Sequence, residues 1–130
     1  MQLLNKRFDE EEKGFDSKEI YEIMKQLNNT FKIMKENNII HRDLKLENIL
    51  IKYDDKDHKK YTIKLSDYGC SKRLKSLSRY CNTFAGSVVY MAPEILKRGD
   101  YNFKCDLWSI GIIIYILIFG QSPYFTLYWD

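Results

Sequence analysis

The sequence is poor in early glycine, in paired cysteines and in net charge. Gly14 is the only glycine ahead of Gly69, so no glycine-rich GxGxxG loop of the kind that covers phosphates can be built upstream of it. The three cysteines, Cys70, Cys81 and Cys105, are odd in number and show no CxxC spacing. They read as free thiols of a reducing compartment, not as a disulfide or zinc framework. A net charge of +3 over 130 residues is too mild to argue for nucleic acid, and the basic residues are spread among acids. The opening MQLLNKRFDEEEK has neither the long apolar core nor the small-residue cleavage site of a secretory signal. The longest apolar run, Leu107 to Gly120, falls short of the about 20 residues a membrane span needs. It carries Ser109 and Gly111 and ends in GQSP, so a buried helix is expected and no membrane span. Repeats and low-complexity tracts are absent.

What is present is ordinary for a globular protein: 45% hydrophobic and 30% charged residues. The length suits one compact domain or part of a larger one. Residues 1–14 read as a short helix followed by a solvated charged loop, DEEEK. Asp16, with Glu19 three residues on, forms a capping-box signature. Ile20, Ile23, Met24, Leu27, Phe31 and Met34 then recur at helical spacing, and Asn37 and Asn38 suit a left-handed exit. NILIKY and YTIKLSDYG are strand-like runs around the polar DDKDHKK, which predicts a hairpin with His58 solvated in its loop. The basic, hydroxyl-rich stretch from Ser71 to Thr83 has no periodicity; long loops of this kind tend to be functional or mobile. APEILKR predicts a short helix with Pro93 in its first turn, and CDLWSIGIIIYILIF the buried helix over 105–119. The fold class expected is mainly α with a small β-hairpin, an α+β arrangement.

The chemistry lies in HRDLKLEN, residues 41–48, between a helix exit and a strand. An Asp can accept a hydroxyl proton, a Lys can balance phosphate charge, and an Asn oxygen suits a hard cation. DYG, with Asp67, closes the second hairpin strand, and Gly69 permits a sharp turn. The hairpin returns Asp67 toward Asn48, where the two can share a metal. A base, a lysine for phosphate charge and two magnesium ligands are the parts phosphoryl transfer requires. Turn-forming polar residues are the bland alternative for all four.

HRDLKLEN, DYG, MAPE and DLWSIG, in this order and spacing, resemble the eukaryotic protein kinase family, a system used as a general example of this chemistry. The resemblance runs from about Leu3 onward, and four ordered motifs in fitting structural context are specific where one would be weak. It implies a partial kinase domain over 1–130, of the large, C-terminal lobe, with catalytic loop 41–48 and activation segment 67–94. It implies ATP and Mg²⁺ as cofactors, a protein with a Ser or Thr hydroxyl as substrate, and an intracellular, cytoplasmic setting. By position, Asp43 resembles the catalytic base and Lys45 the residue that steadies the transferring phosphoryl group. Asn48 and Asp67 resemble the ligands of Mg²⁺ on the ATP phosphates, and Leu50 the residue beneath the adenine, supported by Ile113 and Leu117. Arg42 is similar to the arginine that pairs with a phosphorylated activation loop, and Thr83, counted back from Glu94, to the primary phosphosite. Ser76, Ser78 and Tyr80 are weaker phosphosite candidates. Ser87 matches a residue that touches the catalytic Asp and Lys, and together with Lys45 it favours the Ser/Thr branch. Glu47 resembles an acid that many basophilic members use to hold a substrate arginine; a solvated Glu reads equally well. His41, Tyr68, Gly69, Glu94 and Asp106 resemble structural residues, Asp106 being the helix residue that anchors the catalytic loop.

Several departures qualify the resemblance. Tyr68 replaces the usual Phe and adds a hydroxyl that needs a partner when buried. Val88 and Val89 replace more polar residues and obscure the substrate-docking surface. No glycine-rich loop, no VAIK-type strand lysine and no partner glutamate precede the catalytic loop, and the arginine that pairs with Glu94 in the family, expected further downstream, has no residue here. The N-terminal lobe and the end of the C-terminal lobe are thus expected to be absent from these residues. The chain alone is expected to be inactive and poorly soluble, with an apolar face on the buried helix. A truncated kinase-like scaffold or decoy is the alternative function; intact Asp43, Lys45, Asn48 and Asp67 favour the enzyme. KLEN and GSVVYMAPE lean toward calcium/calmodulin-dependent-like or related Ser/Thr groups.

Overall fold

A computed structural model describes residues 2–3, 15–56, 60–74 and 80–124. Its first long element is helix α1, Ser17–Glu36. Asp16 Oδ1 accepts the Glu19 amide at 2.8 Å and Glu19 Oε2 accepts the Asp16 amide at 3.2 Å, so the predicted capping box is formed. Ile20, Ile23, Leu27 and Met34 form the buried stripe. Burying one such aliphatic side chain contributes about 1.5–3 kcal/mol before entropy is counted. The helix leaves through Asn38 at φ 56°, a left-handed exit that asparagine tolerates, with the Asn37 side chain donating to Ile33 O at 2.8 Å.

The sheet is antiparallel, in the order β1 (Gln2–Leu3), β3 (Ile49–Tyr53), β4 (Tyr61–Leu65). Register runs from Ile49 opposite Leu65 to Tyr53 opposite Tyr61. Ile49, Ile51 and Ile63 face the core, whereas Lys52, Thr62 and Lys64 face out, the alternation a half-buried strand requires. The hairpin is closed by the Asp54 amide donating to Lys60 O at 2.8 Å. His58 lies outside the described residues. Gln2 and Leu3 depart from the expected helix: they pair with Ile51 and Leu50. That pairing supplies bonding partners to the β3 edge that β4 leaves free.

A second ladder was not legible in the sequence. β2 (Ile39–Ile40) pairs with β5 (Lys72–Arg73), Ile39 opposite Arg73 and Ile40 opposite Lys72. An isolated bridge joins Cys81 to Tyr101 through bonds of 2.7 and 2.8 Å. Helix α2, Pro93–Leu96, has proline in its first turn as expected. Helix α3, Lys104–Phe119, ends at Gly120, whose φ of 76° is the left-handed stop that glycine permits, its amide bonded to Ile116 O at 2.8 Å.

Two apolar clusters hold these elements together. In the larger, Ile23 and Leu27 of α1 meet Ile49 and Ile51 of β3 and Ile113 and Leu117 of α3. The smaller gathers Ile40, Cys81, Met91, Ile95, Tyr101 and Cys105. Helix α3 is buried along Ile110, Ile113 and Leu117 but leaves Leu107, Ile118 and Phe119 at least half exposed. It is therefore not buried on every side. No helix among the described residues is long and apolar enough to cross a membrane.

Candidate active site

The HRDLKLEN segment connects β2 to β3 and is held at three places. From α3, Asp106 Oδ2 accepts the His41 amide at 2.8 Å and Oδ1 accepts the Arg42 amide at 2.9 Å. Burial pushes the Asp106 carboxyl up, against these two donors, which favour its ionised form. Arg42 sits at φ 70°. Gly86 lies directly on it: a Cβ there would fall 2.1 Å from Arg42 O, and its φ of 114° also demands glycine. At the far end, the Ser66 amide donates to Asn48 O at 2.9 Å and its hydroxyl to the same oxygen at 3.1 Å. These bonds place Asp67 one residue beyond Asn48's partner.

Asp43 is the centre of the site and is 9% exposed. Its Oδ1 accepts the Ser87 amide at 2.9 Å and the Ser87 hydroxyl at 2.8 Å. Its Oδ2 lies 3.3 Å from Lys45 Nζ and 3.4 Å from Asn48 Nδ2. Lys45 Nζ also donates to Ser87 Oγ at 3.2 Å. Burial alone would raise the Asp43 carboxyl; the bonds from Ser87 and Lys45, with the lysine's charge, outweigh it and hold the group below its ordinary range. Asp43 is therefore an ionised acceptor at neutral pH. Four sequence-predicted residues, Asp43, Lys45, Asn48 and Ser87, thus form one bonded group.

Asn48 is buried, and its Nδ2 donates to Asp43 O at 2.8 Å as well as to the carboxylate. That leaves the carboxamide oxygen as the atom able to meet a cation. Asp67 is exposed at φ 57°, with Oδ1 accepting the Gly69 amide at 3.2 Å. No group of three or more His, Cys, Asp or Glu among the described residues forms a ready-made metal cage. One carboxylate and one carboxamide fit Mg²⁺, which keeps waters and takes substrate phosphate oxygens to complete its shell.

The supporting residues follow. His41 is fully buried, with Nε2 3.2 Å from Ser66 O, and burial lowers its pKa, so the ring is neutral. Tyr68 stacks at a tilt, 5.0 Å from the His41 ring, and is 44% exposed, so its hydroxyl needs no protein partner. Glu47 is exposed, and after burial its charge helps to raise the Tyr90 hydroxyl. Glu94 is half-buried in the first turn of α2. Leu50 corrects one expectation. It lies on the strand face opposite Ile49 and Ile51, and these two, not Leu50, belong to the apolar cluster that holds Ile113 and Leu117.

Thr83 is exposed. Its carbonyl accepts the Tyr101 hydroxyl at 2.5 Å, and its hydroxyl is 3.6 Å from Cys81 Sγ. Arg42 Nη1 reaches both of those neighbours, Tyr101 Oη at 3.4 Å and Cys81 Sγ at 3.6 Å, and its Nε donates to Cys70 O at 2.5 Å. Sequence reasoning missed Lys72, Cys81 and Tyr101 here, because the stretch has no periodicity; the only signal was a basic run beside a hydroxyl-rich one.

A family model described as protein kinase domain matches residues 1–127. The serine/threonine-protein kinase atg1 of Dictyostelium discoideum is 44% identical over 109 residues, 84% of this chain and 16% of that protein. Serine/threonine-protein kinase 33 of Bos taurus is 38% identical over 119 residues, 88% of this chain and 24% of that protein. Serine/threonine-protein kinase ATG1b of Arabidopsis thaliana is 41% identical over 101 residues, 78% of this chain and 14% of that protein. The chain thus spans a quarter or less of the length of these curated relatives. The ordered motifs, the carboxylate at their centre and the match across nearly every residue agree, and the chain belongs to the protein kinase domain family.

Proposed function

We propose that the chain is the large-lobe portion of a serine/threonine protein kinase that transfers the terminal phosphate of ATP to protein hydroxyls. The observation that carries this reading is the Asp43 carboxylate, fixed by Ser87 on one oxygen and facing Lys45 on the other. A substrate hydroxyl aligned on Asp43 donates its hydrogen bond to the carboxylate. Because Asp43 is held below its ordinary range, it is a weak base. Its main work is orientation: the proton would pass to it as the hydroxyl oxygen bonds to the terminal phosphorus and the bond from that phosphorus to the ADP oxygen breaks, releasing ADP. Lys45, bonded to both Asp43 and Ser87, offers positive charge where the phosphoryl oxygens would gather.

Asn48 and Asp67 would hold Mg²⁺, which when bound neutralises phosphate charge. Leu50, half-buried on the strand face away from the core, would meet the adenine. Thr83 would be the phosphosite and Arg42 its partner. Glu47, exposed beside Tyr90, would hold a basic residue of the substrate. Three free cysteines fit an intracellular, cytoplasmic setting. A glycine-rich loop and a strand lysine are not among these residues, so the activity is assigned to a protein that carries them, and the chain alone is expected to be inactive.

The test is phosphate transfer from labelled ATP to a Ser/Thr peptide library by the protein expressed from its full coding sequence. Asp43→Asn should lower kcat by about 10²–10⁴-fold, the usual range for a positioned acid or base. Undiminished transfer in the variant would reject Asp43 as the acceptor. No transfer by the wild-type protein would favour the scaffold.

A further inference from the structure

The proposed reaction leaves one polar cluster unused. Cys81 is 3% exposed and fixed in place by its backbone bonds to Tyr101. Lys72 Nζ lies 3.3 Å from its sulfur and Arg42 Nη1 3.6 Å. Neither cation is in an ion pair with a carboxylate among the described residues. Two positive groups from separate parts of the chain, the β2–β3 connection and β5, therefore converge on one sulfur, with no carboxylate paired to either among the described residues.

The charge state of the neighbours narrows the choice of counter-ion. Burial pushes the Tyr101 phenol up to about 12, so it stays neutral. Cys105, in the same apolar cluster, is pushed up by burial and by the charges of Asp106 and Glu94, and it stays a thiol. Burial would also raise Cys81, but the neighbours that donate to its sulfur, the Lys72 ammonium among them, outweigh it and hold the group below the ordinary thiol range. As a thiol, Cys81 donates to the Thr83 hydroxyl oxygen at 3.6 Å; as a thiolate it would accept from that hydroxyl instead.

We propose that Cys81 is the built-in anion of the activation segment: as a thiolate it holds Arg42 and Lys72 together and pins the segment to the catalytic loop while Thr83 carries no phosphate. The proposal rests on reading the chain as a kinase with Thr83 as its phosphosite. Cys81 is a positioning residue here, acting through Arg42. A phosphate on Thr83, two residues away, would bring a stronger anion to the same two cations and make the thiolate redundant. The anchor has a definite pH sense. Its folded value lies below that of an unperturbed thiol, so its contribution is complete above the ordinary thiol range and is lost as pH falls through about 6.

The test uses the full-length protein after phosphatase treatment. Thiolate absorbance near 240 nm is expected to contain a step with a midpoint near 6 that Cys81→Ser removes and Lys72→Met moves upward. If the serine variant does not fold, the lysine variant still decides. A midpoint at the ordinary thiol value of about 8.5, or one unmoved by Lys72→Met, overturns the proposal. In phosphate transfer, Cys81→Ala should lose activity several-fold in the unphosphorylated protein and Cys81→Asp should retain it. Phosphorylation of Thr83 should abolish the difference. An equal loss in both phosphorylation states would mean a purely structural role and would also overturn it. Transfer by no form of the protein defeats the kinase reading, and the absorbance titration then decides the charge of Cys81 independently.

Discussion

Asp106 and His41 stand 65 positions apart in the chain, yet the carboxylate of one takes the backbone N–H of the other at 2.8 Å. A helix built for burial thereby fixes the residue two before Asp43. Asp106→Ala would strand two amides, that of His41, which is buried, and that of Arg42, which is partly buried. Each buried unsatisfied polar group costs about 1–3 kcal/mol, so a loss of about 3 kcal/mol or more is expected from chemical denaturation. Asp106→Asn keeps one acceptor oxygen and should lose less. Equal stability of the alanine variant and the wild type would show that the two bonds contribute nothing.

Ser87 is expected to tune the carboxylate it touches. Removing its hydroxyl takes away a bond that favours ionised Asp43, so Asp43 should titrate higher. The acid limb of the pH–rate profile of Ser87→Ala should then move to higher pH, and Ser87→Thr should restore it. Stability follows the same sign. Because the folded Asp43 is depressed below its ordinary 3.8, its contribution is complete above that value and lost as pH falls through the folded one. An unchanged acid limb in Ser87→Ala would count against this role.

Gly86→Ala should be severe. The new Cβ would meet Arg42 O at 2.1 Å, and a φ of 114° is itself strained for alanine. Left-handed strain costs about 1–3 kcal/mol before the clash is counted. The expected outcome is faster limited proteolysis at the activation segment together with lost activity. Wild-type behaviour in both assays would mean that the backbone approach is not maintained in solution.

Thr83→Ala should lower activity in the full-length, phosphorylated protein, because a phosphate there would reach the Arg42 guanidinium through charge-assisted bonds. Equal peptide phosphorylation by mutant and wild type would remove Thr83 from regulation.

The elements most legible in the sequence are those set by local rules. The capping box at Asp16 and Glu19, the hairpin alternation and the proline at the start of α2 all follow from neighbours a few residues apart. The Asp43, Lys45, Asn48 and Ser87 group was named from motif position, and those four side chains do meet. What could not be read depends on distant partners. The pairing of β2 with β5 rests on two residues per strand, too short for any period to register. Leu50 stands outside the cluster of Ile113 and Leu117 while its neighbours Ile49 and Ile51 are in it, because a strand alternates faces and the motif gives only the position. Cys81 looked like a spare thiol, since nothing local reveals that Lys72 and Arg42 will arrive beside it.

The bridge between Cys81 and Tyr101 makes the chain between them a closed ring, clasped by two backbone bonds rather than by a covalent link. Ser87 and Gly86 ride on that ring. Once its ends are clasped, the intervening stretch samples far fewer shapes than a free loop, and the entropic cost of presenting Ser87 to Asp43 has already been met in folding. A single cut in the peptide backbone inside the ring would leave both halves fastened, so a nicked protein should keep its two pieces together until the clasp itself opens.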